Sequence, residues 1–196
     1  MSWPASSPDK ATPDERLRKP VRPCPGGNAI KAVMDDAGRE QIEAYLKDHY
    51  AAGVGALELI RHSRKSHEST PWAAFFAELE IEVEADHEQL HNLIQALGWD
   101  DSGVRNAGAW MAEKLGRAKL GFSGSETSAL RRLQTLESLA LGIKGKQLLW
   151  RALAAVRDTL AALQKTDFEL LEKRAIEQLE KVETKRLLAA QESFGR

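Results

Sequence analysis

An aspartate in the middle of an apolar helical stripe is the first residue of this chain that could do chemistry. In the stretch WAAFFAELEIEVEADHEQLHNLIQAL, residues 72–97, Phe76, Leu79, Val83, Leu90, Leu93 and Leu97 follow one another at helical spacing. That pattern is one face of an α-helix. Asp86 falls on the same face, where the pattern asks for an apolar side chain. An ionised carboxylate in that position needs a partner, a proton or a metal.

Three other residues hold comparable places on three other helices: His49, Glu137 and Gln178. In an antiparallel pair, residues equidistant from the turn lie level. His49 and Asp86 centre on about position 67.5, and Glu137 and Gln178 on about 157.5, each inside an expected turn. A rise of about 1.5 Å per residue lets the four share one layer. Two readings of such a layer are open. In one, Asp86, Glu137 and His49 ligate a metal, with Gln178 giving a carbonyl oxygen or an outer contact. Carboxylate and imidazole together suit iron, manganese or zinc. In the other, the layer satisfies itself by hydrogen bonds and fixes the register of the helices, with Lys144 available to neutralise a carboxylate. On that second reading Asp86→Leu is neutral or stabilising.

A flanking group sits beside Asp86. Glu80, Glu84, His87 and His91 lie on one side of the same helix, and Glu84 with His87 forms E-x-x-H. Spacings of three and four bring such side chains together. The group reads either as a solvated face or as an alternative metal site. His62 and His67 fall near a helix end, where exposure is expected.

These side chains require long helices to position them. The periodicity predicts a first helix over about 35–65 with an inner face of Ile42, Tyr45, His49, Gly53, Ala56 and Ile60. Its run Ala51-Ala52-Gly53-Val54-Gly55-Ala56 has little side-chain bulk. Two helical glycines cost roughly 1 kcal/mol each against alanine, so a neighbouring helix is expected to approach closely there. The same strip could instead pair with a second copy in a homodimer. Thr70 is expected to cap the second helix with Pro71 at its first position, and Gly98 to end it. Residues 99–123 connect to a third helix, and Trp110, Met111 and Leu115 are spaced for a short amphipathic helix on the way. The third helix is expected after Ser125 and to about Arg157. A fourth follows from near Asp158 to Glu192, with Asp158–Gln164 as an alternative connecting turn. No stretch alternates as a strand does, so the expected fold is an all-α four-helix bundle of two antiparallel hairpins.

The chain has 196 residues, enough for one domain with a sizeable core. Its net charge of -1 argues against a generic nucleic-acid or membrane-surface binder. Cys24 is the single cysteine, so no internal disulfide can form. The opening residues lack a signal-peptide pattern and no apolar run is long enough to span a bilayer, which makes a cytoplasmic location the expectation. Six of the seven prolines lie within residues 1–34, read as an extended, disordered arm ahead of a helical domain over 35–196. Charge is uneven: residues 66–104 hold nine acidic residues and no Lys or Arg, whereas residues 105–157 hold ten basic and three acidic ones. An acidic helix lying beside a basic one is the simplest account; an acidic surface that collects cations is the other.

With helices of this length, a long middle connection and carboxylates at mid-helix, the chain resembles the ferritin-like superfamily. The segments YLKDHYAAG and FFAELEIEVEADHEQLHNLIQALG, between Tyr45 and Gly98, resemble small bacterial ferritin-like proteins of the stress-associated kind. The resemblance implies a ferritin-like bundle over about 35–192, a bound iron or manganese ion, and a role in metal or redox stress. It maps E-x-x-H onto Glu84 and His87 and the lone Glu of the third helix onto Glu137. Glu58 is turned from the core and the fourth helix has no histidine, so a single metal, a low-affinity site or a scaffold that has lost its metal fits the pattern better than a di-iron pair. A non-catalytic structural or protein-interaction bundle with a metal-free polar layer is the alternative.

Overall fold

The computed structural model describes residues 34–99 and 128–195, and the regular structure there is entirely helical. Helix α1 spans Asp36–Ser66, α2 Trp72–Ala96, α3 Ser128–Ala155, the short α4 Ala161–Gln164, and α5 Phe168–Phe194, with a 3-10 turn at Arg157–Thr159. The expected all-α class is met. All described residues belong to one unit, Lys31–Arg196. The Pro-rich arm (bar Met34), the segment carrying Trp110, Met111 and Leu115, and the expected cap Ser125 lie outside the described residues.

Helices α1 and α2 form one hairpin, α3 and α5 another. The hairpins meet where α1 packs on α3 and α2 on α5. One apolar cluster joins all four, with Leu46 and Ile60 from α1, Phe76 and Ile94 from α2, Leu136 and Trp150 from α3, and Val182 from α5 fully buried. Burying each large apolar side chain contributes roughly 1.5–3 kcal/mol, which is what holds these amphipathic rods together. At one end, the Arg132 guanidinium lies 4.4 Å over the Trp72 ring and ties α3 to α2. Among the described residues, no helix is long and apolar enough to cross a membrane.

Local chemistry sets the helix ends. Asp35 caps α1, its side chain accepting from the Gly38 N–H at 2.8 Å, and Asp167 caps α5, accepting from Leu170 N–H at 3.0 Å. Gly98 stops α2 at φ 75°, a conformation that costs glycine nothing. Thr70 does not cap α2. Its hydroxyl donates back to the His67 carbonyl at 2.8 Å, and Pro71 already has helical backbone angles. The alternative expectation for residues 158–164 is the one realised: α3 ends at Ala155, and α5 begins only at Phe168, after the 3-10 turn and α4.

Candidate functional site around Asp86

That longer turn decides which residues face Asp86. With α3 ending at Ala155 and α5 starting at Phe168, the hairpin centres near 161.5 rather than 157.5. Lys146 and Gln178 are symmetric about that point to within a residue, whereas Glu137 lies more than two turns away along α3. Lys146 Nζ donates to Asp86 Oδ2 at 2.5 Å and also to Gln178 Oε1. Gln178 Nε2 donates to the same carboxylate oxygen at 2.9 Å. Arg174 Nη2 stands 2.8 Å from Asp86 Oδ1. That ion pair is out of line for a hydrogen bond, so Oδ1 keeps an unfilled acceptor position. Asp86 is 1% exposed and Gln178 2%. Burial pushes the Lys146 ammonium down and the Asp86 carboxylate opposes that shift.

The expected four-residue layer is therefore only half assembled. Asp86 and Gln178 come together. Glu137 does not reach the core: its side chain is 50% exposed and lies 3.6 Å from Arg186 on α5. His49 is half-buried, with its ring edge-on to Tyr45 at 4.6 Å, and its pKa is held below the ordinary value by burial, against the pull of Asp48. Lys144 donates to Gln147 at 2.8 Å instead of neutralising a carboxylate. These residues do not fit a metal ion. The donor oxygens of Asp86 already face an ammonium and a guanidinium, and a cation placed there would meet both as like charges. Among the described residues, no three His, Cys, Asp or Glu side chains form a group able to hold a metal.

The E-x-x-H pair is split as well. Glu84 is 59% exposed and pairs with Arg61 Nη2 at 3.0 Å. His87 turns the other way, into the α1–α2 interface. Its Nε2 is 3.1 Å from the Tyr50 carbonyl, and its ring stacks on Tyr50 at 4.0 Å between centroids. Burial lowers its pKa, the bond to Tyr50 opposes this, and His91 lowers it further. With a carbonyl as partner, Nε2 is the protonated nitrogen of the neutral ring. The flank is thus not one solvated face. Glu80 is 8% exposed and clamped by Arg61 Nε at 2.9 Å and Arg64 Nη1 at 2.6 Å. Glu58 also pairs with Arg61, at 3.7 Å, on the surface. His62 is exposed as expected, whereas His67 is half-buried.

Beside the Asp86 cluster, α1, α2 and α3 enclose a cleft of about 70 Å³ walled by His49, Gly53, Asp86, His87, Lys146 and Trp150, among others. Gly53 matters to its shape, because a Cβ there would come within 2.5 Å of His87 Cδ2. The light strip on α1 is explained at this point by packing within the chain. Sequence reasoning missed Lys146, Arg174 and the Glu80 clamp. One signal was present: Arg174 precedes Gln178 by four residues, so both share a helix face. The acidic helix α2 is neutralised from three sides, by Arg61 and Arg64 of α1, Lys146 of α3, and Arg174 and Lys181 of α5, rather than by one basic partner. No family model, curated protein or solved structure matches the chain.

Proposed function

We propose that the chain is a non-catalytic, ferritin-like helical bundle that serves as a structural or interaction scaffold, with a metal-free polar joint setting the register of its two hairpins. One observation carries this reading: the Asp86 carboxylate is held by Lys146, Gln178 and Arg174 from both helices of the opposite hairpin. Buried polar groups of this kind specify one alignment where an all-apolar interface would tolerate several. Leu141 and Leu148, two turns apart on α3 and both exposed, support a surface used for contact.

The test is metal loading. The untagged chain, incubated with Fe(II) or Mn(II) and dialysed, is expected to retain far less than one ion per chain by elemental analysis. A stoichiometric ion that Asp86→Asn abolishes would overturn the scaffold reading in favour of a metal-stress role.

A further inference from the structure

The outer face of α3 carries apolar side chains that nothing among the described residues covers. Ser138, Leu141, Gly145, Leu148, Ala152 and Ala155 follow one another in steps of three and four, and all but the half-buried Gly145 are exposed. Such a spacing draws one stripe along a helix. It points away from the core, since Leu136, Leu139, Ile143 and Trp150 of the same helix are buried. Leu141 is 76% exposed and Leu148 50%. Gly145 sits between them in mid-helix, where it costs about 1 kcal/mol against alanine. A Cβ there would meet nothing within 4 Å, so packing within the described chain does not account for it as it does for Gly53.

The face is complementary to itself. Turned end over end onto a second copy about a centre near Gly145, Leu141 of one chain comes level with Leu148 of the other, Ser138 with Ala152, and Gly145 with Gly145. The charges beside the stripe match in the same arrangement. Glu137 comes level with Arg151 of the second copy to within about one residue, roughly 1.5 Å along the axis. Both lie on the flank of α3 that faces α5, Glu137 3.6 Å from Arg186 and Arg151 3.6 Å from Glu172, and a two-fold rotation keeps that flank on one side of the pair. Their side chains are 50% and 60% exposed, so each is free to reach a second partner. Of the two lysines beside Gly145, Lys144 is drawn onto Gln147 at 2.8 Å and Lys146 onto Asp86, so neither ammonium is set against its own copy.

We propose that this face of α3 pairs with the same face of a second copy, antiparallel and two-fold symmetric, to make a homodimer. Leucine packs on leucine to either side of the glycine, where the two backbones approach, and the Glu137–Arg151 pairs fix the direction. The proposal rests on the scaffold reading and names its partner. A patch one helix wide belongs with the smaller, weaker interfaces, so a dissociation constant of about 10–100 µM is expected.

Sedimentation equilibrium of the full chain, without added metal and over about 5–500 µM, is the test. A monomer–dimer equilibrium is the expected result. Leu141→Glu changes an exposed position, so the fold is kept, and it should weaken the dimer by about tenfold or more. Glu137→Arg or Arg151→Glu alone should weaken it by about three- to tenfold, and the two together should restore it. A chain that is monomeric throughout, its α3 face then left to a different protein, would overturn the proposal. So would a dimer indifferent to Leu141→Glu, or charge variants that do not recover when combined. A monomer leaves the scaffold reading standing, because only retention of a stoichiometric ion sinks that.

Discussion

His87 lies against the backbone of Gly53 so closely that a Cβ at position 53 would sit 2.5 Å from its Cδ2. The ring cannot simply swing aside, because it stacks on Tyr50 and is bonded to the Tyr50 carbonyl. Gly53→Ala should therefore destabilise the chain by about 1–2 kcal/mol, an overpacking cost partly offset by better helix propensity. In a His87→Ala background the clash is gone, and the same change should stabilise by up to about 1 kcal/mol. Denaturant titration of the four variants in this cycle checks the change of sign.

Removing Asp86 alone strands Lys146 in a site where its ammonium has lost its carboxylate. Asp86→Leu is expected to cost about 3–5 kcal/mol, not to be neutral or stabilising as the register-fixing reading of the sequence implied before the partners were known. Replacing the joint together, as Asp86→Leu with Lys146→Met and Gln178→Leu, should recover most of that loss, since Arg174 is partly exposed and can turn to solvent. Thermal unfolding of the single and triple variants compares the two.

On α3, Gly142 and Gly145 both sit in mid-helix with open space where a Cβ would go. Alanine at either position should raise stability by about 0.5–1 kcal/mol. An increase in the midpoint of denaturant unfolding, with the slope unchanged, is the expected readout.

The two half-buried imidazoles, His49 and His87, give the chain an acid sensitivity. His49 and His87 both have folded-state pKa values below 6.5. Above that pH they are neutral whether the chain is folded or not. As pH falls through 6.5 the unfolded chain takes up protons that the folded chain resists, so stability decreases. Asp48 moderates this at His49; at His87 the Tyr50 carbonyl and Glu88 moderate it, while His91 and Arg61 add to it. Unfolding midpoints should drop between pH 7.5 and pH 5.5, and His87→Asn should flatten the slope.

Much of this architecture was legible beforehand, and for identifiable reasons. Asp86 and Gln178 were placed in the interior because each interrupts an apolar stripe whose period is unambiguous. Gly98 and the close approach at Gly53 followed from backbone chemistry. The partners of Asp86 were not legible, because they depend on the length of the connection between Ala155 and Phe168. A few residues of error at that turn exchanged Lys146 for Glu137, and with it a cation for an anion. Glu80 was misplaced for a different reason: helical projection put it on a flank, but Arg61 and Arg64 reach across from α1 and cover it.

The contacts that Asp86 makes with Lys146 and Gln178 bridge 60 and 92 positions of sequence. Both join one hairpin to the other across a long stretch of chain, so this fastening is expected to close late on the route to the native state. Its loss should leave the refolding rate nearly untouched and appear almost wholly as faster opening, which stopped-flow measurement of Asp86→Asn would register in the unfolding limb. A single side chain then governs how long the assembled molecule lasts, while having little say in how quickly it assembles.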